Sequence, residues 1–244
     1  IKQTAKYLWS IYVGFVFLQA IILMFEGMSW FDSICHSFTT IATSGFSTKN
    51  ESIRSFNSPL IEYTIILFMF LAATNFSLHY QSITQRKLFY FKDTEFKFYL
   101  STVFIFTGAL ALDISIKKYG WTIDSFRHSL FTTVSLITTT GFGTEDFESW
   151  PGFSKTAIFF FLFLGGSAGS TTGGLKLIRT ILVIKYLMLE MRKLLHPKGV
   201  FLLSIGDNVV KDNVVKNTLG FYLFYLAIFV LCAIVLSTMG IDTI

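Results

Sequence analysis

The chain has 244 residues, of which 52% are hydrophobic and only 14% are charged. A typical soluble domain carries about 25% charged residues, so this composition provides too little charge to cover a water-exposed surface. The formal net charge of +5 does not indicate nucleic-acid binding in so apolar a chain, and we expect no nucleic-acid partner. The composition instead predicts an all-α integral membrane protein.

Five apolar segments follow in chain order: 5–25, 60–78, 98–116, 157–166 and 219–236. Most approach the roughly 20 residues that a membrane-spanning helix requires, whereas 157–166 is short and leads directly into glycines. The first segment is too long for the apolar core of a cleaved signal peptide, and no small-residue cleavage site follows it. The chain starts without Met and stops just after the last apolar segment, so we interpret it as a piece of a longer protein.

Two basic segments, 86–97 and 176–216, alternate with two stretches that lean acidic, 26–62 and 124–148. Basic loops of membrane proteins are retained on the cytoplasmic side. The charge pattern therefore predicts that both basic segments are cytoplasmic and both acidic stretches external.

An internal repeat organises the chain. Residues 32–37, Asp-Ser-Ile-Cys-His-Ser, return at 124–129 as Asp-Ser-Phe-Arg-His-Ser, and Thr-Ser-Gly-Phe at 43–46 returns at 139–142 as Thr-Thr-Gly-Phe. The first pair of segments lies 92 residues apart and the second pair 96, a difference close to one helical turn. We therefore predict the same short helix in both copies, with one additional turn in the second.

Each copy predicts the same unit, which consists of a spanning helix, a half-helix, a short loop and a returning helix. The Asp-Ser pairs at 32–33 and 124–125 are typical N-caps, so the half-helices are expected at 32–42 and 124–137. The returning helix of the first copy is expected to be continuous over 60–80, because it contains no glycine. The predicted division of the chain is a first repeat at 1–92, a second repeat at 93–195, and a cytoplasmic linker with the opening helix of a further repeat at 196–244.

The repeated loops have the composition of a cation site. The segment 138–144 holds two glycines and several threonines, and irregular backbone at membrane depth is tolerated only where it is buried in protein or lines a wet cavity. Carbonyl and hydroxyl oxygens replace the water around a small cation, and a loop without carboxylates suits an alkali ion better than a divalent one. Glycine at the centre of each loop can take positive φ, and the half-helix C-termini add partial negative charge. The predicted ion-binding residues are Thr43, Ser44, Gly45, Phe46, Thr139, Thr140, Gly141 and Phe142.

A second irregular segment, Phe-Leu-Gly-Gly-Ser-Ala-Gly-Ser-Thr-Thr-Gly-Gly-Leu-Lys, occupies 163–176. It is not a phosphate-binding loop, because Leu175 separates Gly174 from Lys176 and a membrane helix rather than a strand precedes it. Close packing of helices through small residues is the alternative, but so many glycines and hydroxyls predict a broken helix. The side chain of Lys176 is expected to extend to the cytoplasmic interface.

The remaining polar residues indicate no catalytic or redox chemistry. Cys35 and Cys232 lie far apart and support neither a disulfide nor a metal site. The four histidines show no paired metal-ligand spacing, so His36 and His128 are interpreted as capping or packing groups. Asn75 and His79 are interpreted as interface residues, with the inner pore as the alternative for Asn75.

The two loops, Thr-Ser-Gly-Phe-Ser and Thr-Thr-Gly-Phe-Gly, and the segment Gly-Gly-Ser-Ala-Gly-Ser-Thr-Thr-Gly-Gly-Leu-Lys-Leu-Ile-Arg at 165–179 together resemble the Trk/Ktr/HKT superfamily of potassium transporters. The Leu-His-Pro-Lys stretch at 195–198 resembles the bacterial Trk-type membrane subunit in particular. The resemblance covers the whole chain, which is similar to the second and third of four repeats around a pseudo-fourfold pore and to the first helix of the fourth.

The resemblance also implies a function. It implies potassium as the transported ion, with no organic cofactor, and a multi-pass location in the bacterial plasma (inner) membrane in contact with lipid. It further implies a homodimer that associates with cytoplasmic nucleotide-binding regulatory subunits, for which the basic segments 86–97 and 185–216 would be docking surfaces. The intramembrane gate that it implies consists of Gly165, Gly166, Ser167, Ala168, Gly169, Ser170, Thr171, Thr172, Gly173 and Gly174, followed by Lys176.

Two other functions stay open at the level of sequence. The chain could be a non-conducting membrane sensor or scaffold that keeps the loops only for packing, or a redox subunit that uses its histidines for haem. No enzymatic activity is expected. The sequence does not distinguish a channel from a proton- or sodium-coupled symporter, and it does not fix the selectivity for potassium over sodium.

Overall fold

The computed structural model describes residues 2–197, 199, 201–206 and 208–240. Lys198, one of the residues of the predicted second basic segment, lies outside the described residues. The chain forms two compact units, Ile1–Leu177 and Ile178–Ile244. The division into repeats at 92/93 and 195/196 concerns sequence duplication rather than compactness, and it stays a prediction.

The first unit is entirely helical over the residues described. Its α-helices are α1 (Lys2–Phe25), α2 (Trp30–Ile41), α3 (Pro59–Ala72), α4 (Phe76–Gln85), α5 (Thr94–Ile114), α6 (Ile123–Ile137) and α7 (Gly152–Phe161). Three short 3₁₀ turns, Ser52–Phe56, Tyr90–Lys92 and Phe147–Ser149, and a π turn, Ser115–Tyr119, lie between them.

The two sequence repeats begin with the same pair of helices. A long helix precedes a short one in each copy, α1 before α2 and α5 before α6, and the members of each pair pack together. The short helix has 12 residues in the first copy and 15 in the second. The three additional residues are slightly less than one turn, which agrees with the extra turn predicted from the unequal spacing.

The start of each half-helix differs from the prediction, and the proposed Asp-Ser caps are wrong. The N-caps are Ser29 and Thr122, whose hydroxyls accept from the backbone N–H groups of Asp32 and Ser125. The helices therefore begin at Trp30 and Ile123. Because these hydroxyls supply the caps, the acidic residues lie inside the first turn, where they interact favourably with the helix dipole.

The returning helix of the first copy is broken, which corrects the prediction of a continuous helix over 60–80. Helices α3 and α4 meet at a bend of 94°. Asn75 caps α4, because its side-chain oxygen accepts from the N–H of Ser77 at 2.8 Å. An Asx N-cap offers the backbone a new helix start without glycine, so the first copy has a break where the sequence suggested none.

The core of the first unit lies where α3, α5 and α6 meet. Large side chains there are fully buried, among them Ile65, Met69, Tyr99 and Phe131. A charged contact crosses the same interface: Arg127 of α6 donates to Glu62 of α3 at 2.7 Å, and the Glu62 side chain is only 6% exposed. Apolar packing and one shielded ion pair therefore fix the second half-helix against the first copy.

The second unit contains α8 (Leu177–Leu195), a two-stranded antiparallel sheet and α9 (Asp212–Thr238). Strands β1 (Ser204–Ile205) and β2 (Asn208–Val209) pair in the register Ser204 with Val209; this small hairpin lies within the predicted linker. In the part of the chain that the structure describes, three helices are long and apolar enough to cross a membrane, at Lys6–Phe25, Thr94–Lys118 and Asp212–Thr238. The bent pair α3–α4 makes a fourth if it counts as one span.

Candidate ion-binding site

The two Gly-Phe loops have the same backbone conformation. Gly45 and Gly141 have φ of 68° and 83°, which confirms the positive φ expected at these positions. The first threonine of each loop is also left-handed, with φ of 51° at Thr43 and 56° at Thr139. Because a non-glycine residue rarely adopts this region, its occurrence at both equivalent threonines indicates a constrained turn that the repeat has kept.

Hydrogen bonds to the half-helices fix this conformation in both copies. The N–H groups of Ser44 and Gly45 donate to the carbonyl of Thr39 at 2.9 and 3.4 Å. The N–H groups of Thr140 and Gly141 donate to the carbonyl of Ser135 at 2.9 and 3.2 Å. Each loop therefore turns its N–H groups toward the C-terminus of its half-helix.

The carbonyl groups of the loops are free for another ligand. Among the described residues, no hydrogen-bond donor reaches the carbonyl oxygens of 43–46 or 139–141. Phe142 differs, because its carbonyl oxygen accepts from the Ser135 hydroxyl at 2.7 Å. This bond turns the Phe142 carbonyl toward α6, so Phe142 is the residue of the predicted set that is least suited to face an ion.

The two loops lie directly against each other. A Cβ atom placed on Gly45 would stand 1.8 Å from the carbonyl oxygen of Thr140, so only glycine permits this approach. The two strands are not equivalent, however. The Thr140 hydroxyl is buried and pairs with Thr138 at 2.8 Å, whereas Ser44 is exposed.

The electrostatics of the loops favour a weakly held cation. Helices α2 and α6 end at the loops, and a helix C-terminus carries about half an elementary negative charge. No carboxylate lies within either loop, and the described residues contain no cluster of three or more His, Cys, Asp or Glu that could hold a metal ion. The candidate ligands are therefore neutral oxygens, which suit an ion that must also leave.

An acidic side chain lies in the first turn of α2. Asp32 accepts from the hydroxyls of Thr48 and Ser29 at 2.5 and 2.8 Å. These hydrogen bonds hold the pKa of Asp32 below its ordinary value, because they stabilise the ionised form. The carboxylate thus ties the segment after the first loop to the half-helix.

The glycine-rich segment 165–174 contacts both loops at their left-handed threonines. The Thr43 hydroxyl donates to the carbonyl of Thr171 at 3.1 Å. The Thr139 hydroxyl accepts from the N–H of Gly173 at 2.8 Å. The structure therefore brings together the predicted ion site and the predicted gate, which are separated by up to 128 residues in sequence.

The same segment fills the break between α3 and α4. The N–H of Ser167 donates to the carbonyl of Ala73 at 2.9 Å, and the N–H of Phe76 donates to the carbonyl of Gly169 at 3.1 Å. The buried carboxylate of Glu95 accepts from the N–H of Ala168 at 2.8 Å. Backbone groups freed by two broken helices thus satisfy one another, as buried polar groups must.

Lys176 does not extend to the interface as expected. Its ammonium group donates to the carbonyl and, at 2.9 Å, to the hydroxyl of Thr172. The side chain therefore folds back onto the glycine-rich segment. The expectation was wrong because the broken backbone offers acceptors that an intact helix would not.

Three contributors were missed from the sequence. Asn75 caps the break, Ser135 binds the loop carbonyl, and Glu95 binds the glycine-rich segment. Asn75 lies directly before an apolar residue, which permits an N-cap, but no local pattern required a helix to begin there. Ser135 could have been found by alignment of the repeats, since it occupies the position of Thr39. No local pattern distinguishes Glu95.

The fold and site define the class: an all-α membrane protein in which two short helices, each packed against a long one, end in loops with carbonyls available to a ligand. A family model described as TrkH, a cation transport protein, matches residues 1–244. The chain therefore belongs to the TrkH family of cation transport proteins.

Individual relatives agree with this assignment. The chain is 38% identical over 247 residues to a Trk system potassium uptake protein TrkH of Halomonas elongata, and 35% identical over 244 residues to that of Escherichia coli, covering 99% of this chain in each case. The crystal structure of the potassium transporter TrkH from Vibrio parahaemolyticus superposes with a TM-score of 0.93 at 36% identity over 99% of this chain. The chain spans about half the length of these relatives, 50% of each curated protein and 52% of the solved chain.

Proposed function

We propose that this chain is part of the pore-forming subunit of a potassium uptake system in a bacterial plasma (inner) membrane. The observation that carries the proposal is the pair of equivalent loops. Among the described residues, the carbonyls of 43–46 and 139–141 have no hydrogen-bond donor, and a half-helix ends at each loop. The curated relatives, which are named as potassium uptake proteins, supply the identity of the ion.

In the proposed path, potassium exchanges part of its water shell for carbonyl oxygens of 43–45 and 139–141. Neutral dipoles replace hydration water without a charge that would trap the ion. The carbonyls of Phe46 and Phe142 mark the outer end, and that of Phe142 serves as an anchor through Ser135. Around a pseudo-fourfold pore, these two loops would supply half of the oxygens.

The segment 165–174, with Lys176, is the proposed gate on the inner side of the filter. Its support is its position: it is bonded to both left-handed threonines of the filter and to the break between α3 and α4. An irregular segment held by hydrogen bonds, rather than by a continuous helix, can exchange between two arrangements, as gating requires.

Assembly and partners are proposed from the family. The complete protein is expected to form a homodimer in the lipid bilayer and to bind cytoplasmic nucleotide-binding regulatory subunits through the basic segments 86–97 and 185–216. Within the second of these segments, the ammonium group of Lys185 donates to the carbonyl of Ser204 at 2.8 Å. This bond holds the hairpin of the second unit in place. No organic cofactor is assigned to this chain.

The test is rubidium flux into liposomes that contain the complete parent protein and its regulatory subunit, with sodium as competitor. Wild type is expected to carry rubidium in preference to sodium. Gly141→Ser is expected to lower flux or selectivity, because a side chain at φ of 83° is strained and shifts the adjacent carbonyls. A wild-type protein that carries no cation with its partner present would instead support the sensor or scaffold function.

A further inference from the structure

A histidine occupies the same place on each half-helix, at positions 36 and 128 of the internal repeat. The His36 side chain is completely buried, and it belongs to no candidate metal-binding cluster among the described residues. Burial of an imidazole requires partners for both ring nitrogens. The identity of those partners indicates what the two histidines do.

His36 joins the half-helix to the outer end of its loop. One ring nitrogen, Nδ1, lies 2.8 Å from the carbonyl oxygen of Asp32, and the other, Nε2, lies 2.9 Å from the Ser47 hydroxyl. A carbonyl only accepts, so Nδ1 carries the proton and, in the neutral ring, Nε2 accepts from Ser47. The Ser47 oxygen in turn accepts from the N–H of Lys49 at 3.1 Å, which completes the chain of bonds.

The His36 ring also supports the second loop. It packs against the ring of Phe142 with 5.9 Å between centroids, and its other neighbour is Phe56 at 5.2 Å. Phe142 is only 4% exposed, and its carbonyl is held by Ser135. A single buried imidazole therefore touches the outer end of both loops.

The second copy keeps an imidazole–hydroxyl bond, but His128 is half-buried and makes the bond through its other ring nitrogen and with a different hydroxyl. The Nδ1 atom of His128 lies 3.1 Å from the hydroxyl of Thr144, two residues after Phe142, whereas Ser47 follows Phe46 directly. Thr144 is 3% exposed. The hydroxyl partner has moved by one residue between copies while the histidine has stayed, so the bond itself is the shared feature.

We propose that His36 and His128 are positioning residues of the ion-binding site, and that each imidazole–hydroxyl bond fixes the outer end of one loop to its own half-helix. The proposal rests on the proposed function, because the geometry it protects is that of the ion-binding carbonyls. Without the bond, the loop keeps its inner anchors at Thr39 or Ser135. The first loop also keeps the Thr48–Asp32 bond and the second keeps the bond from Ser135 to the Phe142 carbonyl, but the carbonyls between these anchors gain freedom. Discrimination between ions of different size then falls.

The test compares three substitutions of His36 in the complete transporter with its regulatory subunit, reconstituted in liposomes. Gln keeps a polar atom near the position of Nε2, Asn keeps one only near Nδ1, and Leu keeps neither. We expect the ratio of rubidium to sodium flux to fall about fivefold in His36→Leu and His36→Asn, the effect of one hydrogen bond. His36→Gln is expected to restore most of the ratio. Ser37→Ala, a buried hydroxyl on the same helix that bonds only the carbonyl of Ser33, is the matched control.

The bond between His128 and Thr144 has its own pair of variants. Thr144→Val removes the hydroxyl and keeps the shape, and it is expected to lower the flux ratio, whereas Thr144→Ser keeps the hydroxyl and is expected to retain it. These variants, and Ser47→Ala, replace the histidine series if His36→Leu does not fold. An unchanged ratio in both Ser47→Ala and Thr144→Val would overturn the proposal.

Two further outcomes are decisive. Rescue of His36 by Asn but not by Gln would show that the ring serves only the half-helix, which also overturns the proposal. If wild type carries no cation, the proposed function fails, and hydrogen exchange of the amides at 43–49 then decides the anchoring role separately. Faster exchange in His36→Leu than in wild type supports the anchor, and equal exchange refutes it.

Discussion

Replacement of Gly45 by alanine perturbs the contact between the two loops most directly. The new Cβ atom would lie 1.8 Å from the Thr140 carbonyl oxygen, and real Cβ atoms keep at least 3.0 Å from such neighbours. One loop must therefore move by more than an ångström, and the moving group is backbone rather than a flexible side chain. In addition, an L-residue at φ of 68° is strained by about 1–2 kcal/mol, roughly a factor of 5–30 in an equilibrium.

We expect Gly45→Ala to lower rubidium flux at least about tenfold and to lose selectivity, because both effects displace carbonyls that face the ion. The assay is flux into liposomes with the complete protein, accompanied by a thermal melt in detergent to confirm folding. Gly143→Ala is the matched control, since its nearest neighbour would be 3.9 Å away and its φ is not positive. Wild-type flux and selectivity in a folded Gly45→Ala protein would refute the steric reasoning.

Three more predictions concern the surroundings of the loops. Gly169→Ala places a Cβ 2.9 Å from the side-chain oxygen of Asn75, so we expect an altered rate of rubidium flux into liposomes, and an unchanged rate would count against the role of the break. Arg127→Met leaves the carboxylate of Glu62 buried and unpaired, which is expected to cost about 3–5 kcal/mol, measured as a lower melting temperature; the double variant with Glu62→Met should recover most of this loss. The lowered pKa of Asp32 implies stabilisation that is complete above the ordinary value of 3.8 and is lost as pH falls through the lowered pKa. The melting temperature should therefore decrease less steeply at acidic pH in Asp32→Asn than in wild type.

The repeat, the loops and the positive φ of both central glycines could be predicted from the sequence. These features are local, because glycine and hydroxyl composition excludes a lipid-facing helix wherever it occurs. The duplication then doubled the signal, since Thr-x-Gly-Phe followed the same Asp-Ser-x-x-His-Ser segment twice. Local composition and repetition were sufficient for this much of the site.

The break at Asn75 and the caps at Ser29 and Thr122 could not be placed from composition alone. The break depends on carbonyls of Ala72 and Ala73 that accept from a segment almost 100 residues later, and no local pattern contains that information. The caps were misplaced because Asp-Ser is a good cap pair in isolation. In the structure, the hydroxyls of Ser29 and Thr122 accept from backbone N–H groups three residues later and begin the helices earlier.

The role of the histidines shows the same limit. The spacing between histidines predicted no paired metal ligands, but it could not show that His36 reaches Ser47, 11 residues away across the loop. Such contacts arise when the chain reverses direction and the half-helix lies beside its own outgoing segment. Polar residues that recur in a repeat without an obvious partner are therefore good candidates for contacts of this kind.

The most direct test of the account locates the ion itself. Crystals of the complete protein grown in rubidium would be measured at the rubidium absorption edge, and anomalous density would be calculated for wild type and Gly45→Ala. The account predicts density in contact with carbonyl oxygens of 43–45 and 139–141 in wild type, and its loss or displacement in the variant. If the protein transports rubidium but the anomalous density lies only elsewhere, with none beside these carbonyls, the assignment of the loops as the ion-binding site is contradicted.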